Sequence, residues 1–188
     1  MSQDWRDISY LRTGTDRQQQ IYDVLIRHSL LAILHDFDPA VVSTICVGLD
    51  TPASDVDVIC HAPNLSKLEQ VLRYNYSESE NFCLRYRPPR NETLVCSFSL
   101  ERLEIEIFGS LEPIESQPAY RHFSVMKRLV SIGDDTFKKD IVELKKSGLK
   151  TEPAIAKRLQ LQGDPYQAIL ELENASDADL IELIGSAM

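Results

Sequence analysis

Two hydrophobic periods alternate along this chain, and the points where one gives way to the other divide it into elements. From about Thr15 to Phe37 the apolar residues Ile21, Val24, Leu25, Leu31, Ile33 and Leu34 recur at helical spacing behind Asp16, Arg17, Gln18 and Gln19, which predicts one long amphipathic helix. Asp38-Pro39 ends it. Val41–Val47 then reads as a strand, and Gly48–Ser54, with Asp50 and Pro52, as turn material leading into a strand over Asp55–Ile59. Asn64–Tyr74 returns to the helical period, with Leu65, Leu68, Val71 and Leu72 on one side and Ser66 and Glu69 at capping-box spacing. Phe82–Tyr86, Thr93–Phe98 and Leu103–Phe108 alternate as strands, and the joints between them are too short for a crossover helix, so several must pair antiparallel.

After Gly109 the helical period takes over. Helices are predicted at roughly Ala119–Val130, Phe137–Ser147, Thr151–Leu161 and Pro165–Glu173, with Thr151 and Asp164 as N-caps ahead of first-turn prolines. Ser176–Met188 repeats the S-x-x-D cap and either packs as a final helix or frays. The expected fold class is therefore α/β (α+β), a mixed sheet of four or five strands flanked by helices. Its expected organisation is a core over about residues 1–115 and a C-terminal helical segment over 116–188 packed on it.

Composition narrows the partners more than the fold. The 188 residues suffice for one good core, and the balance of 20 Lys plus Arg against 29 Asp plus Glu gives a formal net charge of -9. An acidic chain lacks the basic stripe that displaces counterions from a long nucleic acid, so a small ligand is expected instead. One basic patch stands out, Arg85-Tyr86-Arg87-Pro88-Pro89-Arg90. Cys46, Cys60, Cys83 and Cys96 show no zinc-type spacing, and reduced, partly buried thiols are expected of them. The charged start Met1–Asp7 has no apolar signal region, and no stretch reaches the roughly 18 apolar residues of a membrane span, so the expectation is a cytoplasmic protein with no membrane partner.

The chemistry concentrates at Ser54-Asp55-Val56-Asp57-Val58-Ile59. A strand's period of two sends Asp55 and Asp57 to one face, where two carboxylates repel unless a positive charge sits between them. Oxygen-only ligands suit a hard cation, magnesium or manganese. A third carboxylate is at hand on Leu103-Glu104-Ile105-Glu106-Ile107-Phe108, where both acids again share a face. Together they form a metal-binding triad suited to a nucleoside triphosphate.

Val42-Ser43-Thr44, then ten residues, then Asp55-Val56-Asp57-Val58, resembles the signature of the DNA-polymerase-β-like nucleotidyltransferase superfamily: an apolar residue, Gly, Gly or Ser, a spacer, and an acid–apolar–acid–apolar run. More narrowly the chain resembles a bacterial domain-of-unknown-function branch of it. The blocks that carry this are Gly14-Thr15-Asp16-Arg17-Gln18, Ser54–Asp57, Glu106-Ile107-Phe108-Gly109, Gln117–His122, Lys150–Ala154 and Gly163–Tyr166. The resemblance implies that Asp55 and Asp57 bind the metal that grips the nucleotide phosphates. It implies that Glu106, with Glu104 as the alternative, completes the set and helps activate an incoming hydroxyl. It places Ser43, Thr44 and Ser54 at the nucleotide. Independently, Arg17 and Gln18 just inside the first helix are candidates for the nucleotide, because a helix N-terminus favours anions, with an ordinary polar helix surface as the alternative. The implied activity is metal-dependent transfer of a nucleoside monophosphate from an NTP to a hydroxyl of a small molecule or protein.

Ser43 occupies the place of the motif glycine, which leaves a second expectation open. In it the fold binds a nucleotide or a protein partner, in the manner of a toxin–antitoxin pair, without turnover. Four further groups carry blander expectations. The Arg85, Arg87 and Arg90 loop is expected to be solvated, although it would suit a phosphate or an acidic acceptor. His122 is a candidate ligand contact whose more common fate is a helix cap or the edge of a core, and His61 follows the acidic strand without being assigned a role. Glu152 beside Lys150 is explained by the helix dipole alone.

Overall fold

In a computed structural model, which describes residues 6–88 and 92–186, the chain divides into two compact units. The first takes in Met1–Cys46 and Ser54–Gln117, the second Val47–Ala53 and Pro118–Met188. Five strands form one sheet in the first unit: β1 (Ala40–Val41), β2 (Val56–His61), β3 (Cys83–Tyr86), β4 (Thr93–Leu100) and β5 (Leu103–Ser110), in the order β1-β2-β5-β4-β3. The expected fold class, a mixed sheet flanked by helices with a C-terminal helical segment, is the one observed.

Pairing follows from the connections. Short joints make β3–β4 and β4–β5 antiparallel as expected, while β5 comes to lie parallel beside β2. The β4–β5 hairpin turns on Glu101 and Arg102, at φ 49° and 71°, with Leu100 opposite Leu103. Two positive-φ residues in a two-residue loop match the strand twist, but neither is the usual Asn or Gly. Glu101 is held by an ion pair to Arg27 and by a 3.0 Å contact with His28 Nε2.

Alternation along the strands separates two faces. Val56, Val58, Ile105, Ile107, Cys96 and Phe98 are buried on one of them, which the helix α3 (Leu65–Tyr76) covers. Tyr76 stacks on Phe98 with ring centroids 4.3 Å apart and planes 13° from parallel. Gly109, on the same face, admits the helix closely, for a Cβ there would lie 2.3 Å from Cδ2 of Leu68. The opposite face carries Asp57, Glu104, Glu106 and Ser97.

Several local expectations are corrected. The long helix predicted over 15–37 breaks into α1 (Asp16–Arg27), α2 (Leu30–Ile33) and a 3-10 turn over His35–Phe37, because Ser29 takes a left-handed conformation at φ 50°. The break turns Leu30 and Leu34 fully inward. The strand predicted over Val41–Val47 is only β1 followed by a 3-10 turn, Thr44–Val47. There the Ser43 hydroxyl accepts from Ile45 N and donates to the Asp55 carbonyl, replacing ladder bonds with side-chain bonds. Asn64, not Ser66, caps α3, accepting from Lys67 N, and Glu69 is engaged by Arg73 and Tyr86 instead.

The second unit is helical: α4 (Pro118–Ile132), α5 (Asp135–Lys146), α6 (Thr151–Arg158), α7 (Pro165–Glu171) and α8 (Asp177–Ser186). Asp164 caps α7 ahead of Pro165 as expected, but Lys150 holds the cap position of α6 and Thr151 is buried inside its first turn. Arg121 pairs with Glu173, and Arg128 donates to the carbonyls of Glu173 and Ala175, closing the 3-10 turn between α7 and α8 against α4. The segment Val47–Ala53 joins this unit, where Lys145 donates to the Leu49 carbonyl at 2.6 Å. None of the four cysteines is in a disulfide, and Cys83 is exposed while the others are buried. Among the described residues no helix is long and apolar enough to cross a membrane.

Candidate metal centre

Asp55 stands immediately before β2 and Asp57 is its second residue, so the pleat aims both at the same face. Across the parallel ladder Asp57 is the register partner of Glu106. One carboxylate oxygen from each of Asp55, Asp57 and Glu106 lies within 4.8 Å of the others, and all three residues are half-buried. Backbone bonds hold the segment that presents them: Arg17 Nη2 donates to the Ser54 carbonyl at 3.2 Å, the Ser43 hydroxyl to the Asp55 carbonyl at 2.7 Å, and Val42 N to the Asp57 carbonyl at 2.9 Å. These bonds pin the carbonyls along the acidic run and so fix the backbone from which both aspartates project.

The other expected residues divide by what their side chains already do. Thr15 caps α1, and Gln18 completes the capping box by accepting from Thr15 N. The Gln18 amide also donates to the Ile45 carbonyl at 2.9 Å, so this side chain ties α1 to the turn behind the acids. Gly14 makes that fold-back possible, since a Cβ there would meet Gln18 Oε1 at 2.1 Å. Arg17 reaches Ser54 through one terminal nitrogen, while its Nε is buried and, among the described residues, without a hydrogen-bond partner. Thr44 opens the 3-10 turn in a half-buried position.

Glu104 shares the acidic face but is exposed and stands outside the converging triad. His122 lies in the second unit, where its Nε2 is 3.0 Å from the Tyr166 carbonyl and its ring meets Tyr166 edge-on. A carbonyl only accepts, so Nε2 carries the proton and the ring is occupied in packing α4 to α7.

Charge around the triad is unbalanced. Burial first, and then the Asp55 carboxylate, push the Glu106 carboxyl above its ordinary range, with Arg85 and Arg87 pulling the other way. Arg85 Nη2 lies 3.4 Å from Glu106 Oε1, and the Arg87 guanidinium sits over the Phe108 ring, 5.0 Å from its centroid. Strand parity alone puts Arg85 and Arg87 on one side of β3, yet only the register of β3 on β4 and β4 on β5 reveals that this is the acidic side. Both are exposed, as expected of a solvated loop, and what the sequence does not reveal is the acidic neighbour. Arg90 of the same patch and the first residues, Met1–Trp5, lie outside the described residues.

The donor set fits a small hard cation. Oxygens on one octahedral magnesium stand about 3 Å apart when adjacent and about 4 Å when opposite, so the triad needs to contract by less than about 2 Å, within reach of carboxylate rotation. Three hard anionic oxygens and no sulfur or imidazole match magnesium or manganese over zinc or copper.

A protein family described as "Domain of unknown function (DUF4269)" matches residues 23–172. No curated protein matches the chain. Among solved structures, one described as "Structure and function of the polymerase core of TRAMP, a RNA surveillance complex" aligns over 94% of this chain at 16% identity and a TM-score of 0.41. The chain spans 60% of the length of that one.

Proposed function

The chain belongs to the DUF4269 family, and for it we propose metal-dependent nucleotidyl transfer, in which a nucleoside monophosphate passes from an NTP to a hydroxyl of a small molecule or protein. The observation that carries this reading is the convergence of the Asp55, Asp57 and Glu106 carboxylates on one half-buried spot of the sheet. Asp55 and Asp57 would hold magnesium or manganese, with Glu106 closing the set. When bound, the cation supplies positive charge against the phosphates and acidifies the attacking hydroxyl. Most of the work is positioning, because phosphoryl chemistry asks little covalent participation of the protein.

In the step proposed, the acceptor oxygen forms a bond to the α-phosphorus as the bond from that phosphorus to the bridging oxygen breaks, and pyrophosphate leaves. The hydroxyl proton passes to Glu106. Arg17 and Ser43 act at one remove, fixing the Ser54 and Asp55 carbonyls so that the Asp55 carboxylate stays near Asp57 and Glu106. Thiols outside any disulfide, three of them buried, are compatible with a reducing cytoplasm.

A second reading is favoured by one observation. Ser43 stands where the superfamily signature has glycine, and its hydroxyl hydrogen is given to the Asp55 carbonyl. A centre built this way can bind metal and nucleotide without turning over. Calorimetry and mass spectrometry separate the outcomes. Asp55→Asn with Asp57→Asn is expected to weaken Mn2+ binding at least about a hundredfold. Unchanged Mn2+ affinity in that double variant would overturn both readings. Incubation of the wild type with Mn2+, NTPs and lysate is expected to leave additions of nucleoside monophosphate mass on an acceptor, and nucleotide binding with no such addition selects the second reading.

A further inference from the structure

Two of the side chains expected at the phosphates are committed to backbone: the Ser43 hydroxyl donates to the Asp55 carbonyl, and the Gln18 amide spans Thr15 and Ile45. Three carboxylates facing a triphosphate gather far more negative charge than one divalent cation neutralises, so nucleotide binding on this face requires further cationic donors. The sheet register supplies them. Arg85 pairs with Val95 and Val95 with Phe108, which sets Arg85 one row from Glu106 on the same face, and Arg87 follows two residues on.

We propose that Arg85 and Arg87 bind the polyphosphate of the nucleotide; the inference rests on the nucleotidyl-transfer reading above. Arg85 is poised for it, for its contact with Glu106 spans 3.4 Å, longer than the usual 2.7–2.9 Å of a charge-assisted bond, and its side chain is 51% exposed. Drawing Glu106 toward a cation frees Arg85 further. Arg87 is held differently: its guanidinium sits over the Phe108 ring, 5.0 Å from the centroid, and the residue is exposed, so its N–H groups are accessible to a ligand on this face. A planar fork with one side on an aromatic ring is a good bidentate partner for phosphate oxygens, and a lysine in its place is only a point charge. Phosphates thus lie between the acids with their cation on β2 and β5 and the two guanidinium groups on β3.

Inorganic tripolyphosphate tests this without knowledge of the base or acceptor. Wild type, Asp55→Asn/Asp57→Asn, Arg85→Gln/Arg87→Gln and Arg85→Lys/Arg87→Lys are titrated first with Mn2+ alone, then with tripolyphosphate at a fixed excess of Mn2+. The double glutamine variant is expected to keep its Mn2+ affinity within about twofold and to lose tripolyphosphate affinity by roughly tenfold or more, with partial recovery in the lysine variant. Tripolyphosphate affinity equal to wild type in the glutamine variant, whose unchanged thermal midpoint shows it folded, overturns this inference and leaves the metal centre standing. Failure of the wild type itself to bind Mn2+ overturns the nucleotidyl-transfer reading and this inference with it.

Discussion

The two faces of the sheet are written in the same strands, one residue in two, yet they answer to different demands. On the face under α3, Val58, Ile107, Cys96 and Phe98 are fully buried and packing decides which side chain stands where. On the other, Asp57 and Glu106 sit half-buried and opposite each other, an arrangement that packing and self-energy both disfavour. Neighbouring like charges raise the energy of the folded chain, so the acidic face is a place where stability has been given up, offset in part by Arg85 and Arg87. What the difference teaches is where to look: a strand whose buried residues are ordinary and whose alternate residues conflict marks a site.

Removing packing from the covered face gives the largest expected change. Phe98→Ala deletes a fully buried ring stacked on Tyr76 and is expected to cost about 3–5 kcal/mol in urea unfolding, with Mn2+ affinity of the surviving folded fraction unaltered. A cost below about 1 kcal/mol would show that this face is not the core. Next comes Gln18→Ala, which removes the reciprocal cap of α1 and its tie to the turn behind the acids. About 1–2 kcal/mol of stability should go with it, and Mn2+ should bind more weakly because the acidic segment is less firmly backed.

The smallest change carries the opposite sign and sharpens the contrast most. The Glu106 carboxyl titrates above its ordinary value of 4.5, so its ionised form is disfavoured in the folded chain. Stability from this group is therefore fully present below the ordinary value and declines as pH rises through the raised one. Glu106→Gln escapes that decline. Without metal it should be more stable than wild type at pH 7.5, by under about 1 kcal/mol because solvent screens a half-exposed carboxyl, and the advantage should vanish near pH 3.5. Added Mn2+ should raise the wild-type thermal midpoint and move the variant less. A variant less stable than wild type at pH 7.5 without metal would mean the acids do not repel.

Much of this contrast is legible along the chain, for strand parity depends only on adjacent residues. Asp55 and Asp57 on one side of β2, and Glu104 and Glu106 on one side of β5, follow from a period of two, as does the cap of Asp164 before Pro165. What escaped depends on distance or on small local balances. The register that sets Glu106 beside Asp57 and turns Arg85 toward them is a property of three strand pairings, each fixed by the whole core. The Ser29 break and the loss of strand after Val41 turn on single conformations and side-chain bonds that a hydrophobic pattern does not record. The Glu101-Arg102 hairpin uses residues that ordinarily argue against its own turn type, held by Arg27 and His28 from a helix far away in sequence.

Crystals grown with Mn2+ and measured at a wavelength where manganese scatters anomalously address the central claim most directly. A peak bounded by oxygens of Asp55, Asp57 and Glu106, each at about 2.2 Å, is the result expected. At saturating Mn2+, carboxylates turned apart with no anomalous peak between them would contradict it.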